Sequence, residues 1–220
     1  MDDQKTRVVI ADDHRVVMEG IRHILKEYPE FIPVGEALNG RDAVKMAMDL
    51  SPDIVILDIS MPDLNGLDAT LQIKKKRPDT RIVVYTMVSD RDMILEMFKA
   101  GISAYVLKED PLSELVSALQ AVRRNSTYFS SLLPDVLLNH LKALEAGQDV
   151  KDRFETLSLR EREVFQLLAE GKRIKQIADI LCISHKTVEA HKYNIFDKLN
   201  IKSTTDLILL AIRKHIIPLK

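Results

Sequence analysis

Five short apolar runs, each closed by a polar residue or a turn and followed by a longer amphipathic stretch, dominate the first 126 residues. They are Val8-Val9-Ile10-Ala11, Ile32-Pro33-Val34-Gly35, Ile54-Val55-Ile56-Leu57, Ile82-Val83-Val84-Tyr85 and Ala104-Tyr105-Val106-Leu107. Apolar side chains at successive positions, rather than alternate ones, mark strands covered on both faces, the condition of a buried parallel sheet. Helical spacing fills the intervals over residues 17–26, 40–49, 67–77, 92–100 and 112–124. Five βα units predict a doubly wound, five-stranded parallel sheet of the α/β class occupying residues 1–126.

The texture then changes. Residues 127–153 read as a linker with one short helix candidate, opened by Pro134 and carrying Leu133, Leu137, Leu141 and Leu144 at helical spacing. From residue 154 to 220 the strand-like runs vanish. Ser158-Leu159-Arg160-Glu161 is a capping box opening a helix that ends near Gly171. A second helix spans about residues 174–181, Cys182-Ile183-Ser184 makes a turn, and a third spans 185–199 with Ser184 as its N-cap. A fourth begins near Ser203 or Thr204. This is helix-turn-helix grammar in a small all-α domain.

Charge divides along the same line. The net charge of −1 conceals 17 Lys and Arg against 21 Asp and Glu in residues 1–126, and 12 against 8 in residues 154–220. The basic C-terminal part is the candidate nucleic-acid binder. No apolar run approaches the roughly 18 residues of a membrane span, and Met1-Asp2-Asp3-Gln4-Lys5 lacks the charge pattern of a secretory signal, so a cytoplasmic protein with no membrane partner is expected. The one cysteine, Cys182, excludes an internal disulfide, and its flanks Leu181 and Ile183 predict a small buried side chain. In the cytoplasm the glycosylation pattern Asn125-Ser126-Thr127 has no function.

Ligands of open α/β sheets bind beyond the carboxyl ends of the strands. The residues there are Asp12 and Asp13 after the first run, Asp58 after the third, Thr86 after the fourth and Lys108 after the fifth. Crowded carboxylates raise one another's pKa unless a cation sits among them. Magnesium takes oxygen ligands and keeps waters that a phosphate can replace. A carboxylate beside it can act as nucleophile and form an acyl phosphate, and Asp58, central and alone on its strand end, is the candidate.

These residues resemble the receiver domain of two-component response regulators. The resemblance rests on residues 8–14, on Asp58-Ile59-Ser60-Met61-Pro62-Asp63-Leu64-Asn65-Gly66, on Thr86, and on residues 105–108. It implies a flavodoxin-like fold in which Asp58 accepts phosphate from a histidine kinase. Asp12, Asp13, Asp58 and the backbone carbonyl of Ser60 would hold magnesium, Thr86 and Lys108 would bind phosphoryl oxygens, and Tyr105 would be the switch aromatic that turns inward. The chain departs from many receivers in having Glu109 where proline follows the lysine, and Met87 where a small residue follows the threonine. Met87, Val88 and Ser60 are expected to set the phosphate lifetime.

On a helical wheel of residues 185–199, Val188, Ile195 and Leu199 share a face that must be buried. Opposite stand Lys186, Ala190, Tyr193 and Asp197, flanked by Glu189 and Asn194, a mixture suited to the major groove. Glu189, Ala190 and Tyr193 are expected toward base edges, with Lys186 and Asn194 beside them. Lys192 should reach a phosphate, and Thr187 should serve as a phosphate ligand or a local cap. Residues 157–164, 175–178, 183–191 and 198–199 resemble the LuxR-type DNA-binding domain. Its union with a receiver is that of the NarL/FixJ response regulators.

That resemblance implies a transcriptional regulator switched by phosphorylation, a homodimer when phosphorylated, with two recognition helices on two half-sites of double-stranded DNA. The fourth helix would form the DNA-bound dimer contact. The rival is a magnesium-dependent phosphatase with an aspartyl-phosphate intermediate. Its haloacid-dehalogenase version expects a second acid two residues past the nucleophile, where this chain has Ser60.

Overall fold

The computed structural model describes residues 5–130 and 153–217, which form two compact units. The helix candidate around residues 133–144 lies outside the described residues.

In the first unit the strands are β1 (Thr6–Ala11), β2 (Phe31–Ala37), β3 (Ile54–Leu57), β4 (Arg81–Thr86), β5 (Ala104–Leu107) and β6 (Tyr128–Phe129). All pair in parallel, in the order β2-β1-β3-β4-β5-β6. The helices α1 (Arg15–Leu25), α2 (Gly40–Leu50), α3 (Gly66–Lys76), α4 (Arg91–Lys99) and α5 (Leu112–Arg123) fill the intervals, within two residues of their expected ends. The sheet therefore has six strands, not the five expected. The extra one is a two-residue edge strand in the stretch read as linker, too short for any periodicity to announce it.

Two apolar layers sandwich the sheet, as successive strand residues alternate faces. Val9, Ala11, Val55, Leu57, Val84 and Tyr105 pack with residues of α2, α3 and α4. Val8, Ile10, Ile54, Ile56, Val83 and Val106 pack with residues of α1 and α5. Pro33 is tolerated because β2 is an edge strand, and the β1–β2 register slips beside it, between Val8 and Val9.

The second unit holds a 3-10 turn (Arg153–Thr156) and helices α6 (Leu159–Ala169), α7 (Ile174–Leu181), α8 (His185–Leu199) and α9 (Thr204–Arg213). The Ser158/Glu161 capping box opens α6, and Gly171 at φ +80 closes it, a conformation that costs glycine little. Ser184 caps α8 as expected, its side chain accepting from the Thr187 N–H. The core gathers Phe154, Leu157, Phe165, Ile177, Leu181, Val188, Ile195, Leu199 and Leu207.

The expectation of a buried Cys182 is corrected: the residue is exposed. It ends α7 in the left-handed region at φ 52, and the chain reversal there turns Leu181 inward while leaving the thiol outside.

Candidate functional site

In a sheet of order 2-1-3-4-5-6 the chain winds in opposite senses from β1 and β3, so a crevice opens between their carboxyl ends. Asp12 and Asp58 stand on its two sides. The sheet ladder continues one step past each strand, with Asp12 N–H on the Ala37 carbonyl at 3.0 Å and Asp58 N–H on the Ala11 carbonyl at 2.9 Å. This holds two carboxylates at 2% and 4% exposure.

Gly66 determines how the chain leaves Asp58. A Cβ there would lie 2.2 Å from the Asp58 carbonyl oxygen, so only glycine lets α3 begin against the strand end. Asn65 caps α3 by accepting from the Asp68 N–H at 2.9 Å, and the Gly66 N–H closes the turn on the Ile59 carbonyl at 2.8 Å.

Lys108 is fixed by its N–H on the Thr86 carbonyl at 2.8 Å. Its Nζ lies 2.7 Å from both Asp12 Oδ2 and Asp58 Oδ2. Burial alone would lower the Lys108 pKa, but Asp58 and the hydrogen bonds to both acids outweigh it and raise the value above 10.5. Burial raises the Asp12 pKa above 3.8, and Asp58 adds to the rise against the opposing lysine. Asp58 Oδ1 accepts from the Ile59 N–H at 2.7 Å. Asp13 lies at the rim, and His14 Nδ1 stands 2.7 Å from its Oδ1 and 3.3 Å from Asp12 Oδ1. Asp12, Asp13, His14 and Asp58 offer ligand atoms all within 4.8 Å of one another. Three carboxylates, two of them buried with only one shared ammonium, are a hard-oxygen set compatible with magnesium. None of the six histidines, His185 and His191 included, shows metal-ligand spacing in the sequence, which predicts packing or capping for all of them. His14 nevertheless stands in this cluster, and its place beside Asp13 was the available signal. Ser60 is half-buried in the bend that follows Asp58.

Thr86 and Tyr105 meet through a third residue. Thr86 Oγ1 accepts from the Val88 N–H at 3.3 Å, and the Tyr105 hydroxyl donates to the Val88 carbonyl at 2.6 Å. Tyr105 is turned inward and fully buried, which raises its phenol pKa, with Asp58 and Asp90 adding to the rise. Met87 projects to solvent at 68% exposure, whereas Val88 is buried.

In the second unit Val188, Ile195 and Leu199 of α8 are buried, and Lys186, Thr187, Glu189, Ala190, Tyr193 and Asn194 are exposed. Tyr193 reaches 75% exposure, unusual for an aromatic without a ligand to cover it. Lys192 is half-buried, its Nζ 5.6 Å from the centre of the Phe196 ring. Thr187 Oγ1 lies 2.8 Å from Ser184 Oγ, so of its two expected roles the local cap is the one visible.

Sequence reasoning missed what holds α8 in place. Lys198 Nζ lies 2.7 Å from Glu161 Oε2, a carboxylate that also accepts from the Ser158 N–H at 2.8 Å. Burial pushes the Glu161 pKa up, but Lys198 and Ser158 outweigh it and hold the value below 4.5. Arg160 donates to Glu163 at 2.6 Å and to the Leu181 carbonyl at 2.5 Å, tying α6 to the end of α7. Glu161, Arg162, Glu163 and Gln166 are all buried, which no apolar periodicity announces. For Glu161, Arg162 and Glu163 their place in the motif of residues 157–164 was the signal; Gln166 lay outside it.

Comparison with known proteins agrees with this geometry. The family model "Response regulator receiver domain" matches residues 8–120, and "Bacterial regulatory proteins, luxR family" matches residues 155–211. The oxygen regulatory protein NreC of Staphylococcus carnosus is 39% identical over 215 residues, covering 96% of this chain and 99% of that one. RcsB of Salmonella enterica serovar Typhimurium, solved bound to promoter rprA with the phosphomimetic BeF3-, superposes with a TM-score of 0.58 at 29% identity, covering 94% of this chain and 98% of RcsB. A structure of two RcsB dimers on two parallel DNAs gives a TM-score of 0.57 at 27% identity, with coverage of 94% and 97%. Nothing in these matches supports the phosphatase reading. Among the described residues no helix is long and apolar enough to cross a membrane.

Proposed function

Because the chain belongs to the response regulators of the NarL/FixJ type and is a phosphorylation-dependent transcriptional regulator, we propose that Asp58 is its phosphoacceptor and α8 its DNA-reading helix. The observation that carries this is Lys108, whose ammonium joins Asp12 and Asp58 across the crevice where the winding reverses.

An Asp58 carboxylate oxygen attacks the phosphorus of a phosphohistidine on a histidine kinase, the P–N bond breaks, and the pair of electrons leaves with the imidazole. Asp12, Asp13, Asp58 and the Ser60 carbonyl are the groups that would hold magnesium, which offsets negative charge on the transferring phosphoryl group. Lys108 remains paired with the modified side chain. Thr86 Oγ1 turns to a phosphoryl oxygen, giving up the Val88 N–H, and Tyr105 is the aromatic of the switch. Met87, Val88 and Ser60 set the lifetime of the acyl phosphate.

The output is a homodimer that places two copies of α8 on half-sites roughly one DNA turn apart. Glu189, Ala190 and Tyr193 face base edges, with Lys186 and Asn194 beside them. Lys192 reaches a phosphate, and Thr187 orders the N-terminus of the helix. The residue ranges are 1–126 for the receiver, 127–153 for the linker, whose first residues add β6 to the receiver sheet, and 154–220 for the DNA-binding domain. Support comes from the exposed face of α8 and from the likeness to RcsB, whose dimers bind DNA.

The test is intact mass after incubation with magnesium and a small acyl phosphate, beside Asp58→Asn. One phosphoryl group, absent in the variant, is the expected result. An adduct that persists in Asp58→Asn, or none in the wild type, overturns the assignment of Asp58.

A further inference from the structure

Strand β6 has two residues, yet it touches β5, α4 and α5. Tyr105 pairs with Phe129 in the β5–β6 ladder. Two hydrogen bonds extend that ladder, Tyr128 N–H on the Ser103 carbonyl and Ser130 N–H on the Tyr105 carbonyl, both at 3.1 Å. The two side chains go to opposite faces. Phe129 packs in the layer that contains Tyr105, Val88 and Met93, its ring 6.0 Å from that of Phe98 on α4. Tyr128 packs in the other layer and donates its hydroxyl to Glu114 of α5.

A continuous path therefore runs from the phosphate side of the sheet to its edge. Thr86 holds the Val88 N–H, Val88 holds the Tyr105 hydroxyl, and the Tyr105 peptide holds Ser130. From Ser130 the chain continues toward the second unit.

We infer that Phe129 and Ser130 are positioning residues of the phosphorylation switch: by pairing with the Tyr105 peptide and packing on α4, they hold Tyr105 inward. Through them a change at Thr86 reaches the segment that leads to the DNA-binding unit. When Thr86 Oγ1 leaves the Val88 N–H for a phosphoryl oxygen, the hydroxyl of Tyr105 keeps its hold on the Val88 carbonyl. Inward Tyr105 and an ordered β6 then become one cooperative state. A strand this short, with few ladder bonds and one aromatic pair, opens at small cost, as an element reporting a switch must. The inference rests on Asp58 being the phosphoacceptor.

The experiment uses the full chain, magnesium and acetyl phosphate, and a duplex selected from a random pool by the phosphorylated wild type. Three quantities are read: mass gain, exchange of the Tyr105 and Ser130 amides, and the ratio of DNA affinities with and without phosphate. Phe129→Ala is expected to take up phosphate, to lose protection at both amides and to lower the affinity ratio about fivefold or more. Phe129→Tyr, which keeps the ring, restores both. Phe98→Ala removes the partner ring from a side chain already 45% exposed, so it keeps the fold. It moves the ratio in the same direction and decides the matter if Phe129→Ala does not fold. A wild-type ratio in phosphorylated Phe129→Ala and Phe98→Ala overturns the inference and leaves the assignment of Asp58 standing. Absence of phosphate on the wild type overturns both.

Discussion

The ammonium of Lys108 lies 2.7 Å from Asp58 Oδ2, at the same distance as from Asp12 Oδ2, and all three groups are buried. One cation thus offsets two carboxylates that are otherwise forced together. Removing it leaves two like charges in a low-dielectric crevice, the costly arrangement. Lys108→Met should lower the stability of the first unit by roughly 3–5 kcal/mol in metal-free buffer. Magnesium should recover more of that loss than it adds to the wild type; chemical denaturation with and without the metal reads both.

The same lysine makes a pH prediction. Its folded pKa is raised above 10.5, so its contribution to stability is complete below that value and drains away as pH climbs past it. Asp12 acts with the same sign in a lower window, since its raised pKa means that ionising it costs stability as pH rises through and above 3.8. A denaturation series should show an alkaline decline above pH 10.5 that is absent in Lys108→Met. Identical alkaline limbs would contradict the pairing.

Gly66→Ala places a methyl group 2.2 Å from the Asp58 carbonyl. The loop must shift, at a cost of about 1–3 kcal/mol, and the Asp58 side chain moves with it. Mass spectrometry should find slower phosphorylation from acetyl phosphate. Gly171→Ala, strained at φ +80 but in the other unit, should leave that rate unchanged.

Glu161 is held below 4.5 by Lys198 and Ser158 against the opposing effect of burial. Its contribution is present above 4.5 and lost as pH falls through the lower folded value. Glu161→Gln should flatten this acid limb and cost roughly 1–3 kcal/mol, with Lys198 left beside a neutral amide. Amide exchange along α8, measured against pH, tests both.

On DNA, Lys192→Ala should weaken binding evenly across sequences and reduce the salt slope by about 1, as expected for a phosphate ligand. Glu189→Ala should instead relax preference at one base pair, by roughly 1–3 kcal/mol of discrimination. Selection from a random pool at two salt concentrations separates the two; a sequence-dependent effect of Lys192→Ala would count against its assigned role.

Local rules account for most of what could be read in the chain. Apolar runs on both strand faces required a parallel sheet, and the ends of β1, β3, β4 and β5 had to bring Asp12, Asp58, Thr86 and Lys108 to one edge, because parallel strands point one way. The buried stripe Val188, Ile195 and Leu199 followed from helical spacing alone, and so did the exposed face opposite. Caps at Ser158 and Ser184 were legible because they involve residues three apart.

Other features depend on partners far apart in the chain, and no local pattern contains them. Glu161 reads only as a cap and Arg160 as a surface charge until α8 brings Lys198 to the first and the end of α7 brings the Leu181 carbonyl to the second. Cys182 looks apolar from its neighbours until the left-handed turn sends it outward. Strand β6 has no period of its own and exists because β5 offers an open ladder edge. The inward position of Tyr105 is of the same kind, since its hydroxyl needs the Val88 carbonyl, and packing, not spacing, brings the two together.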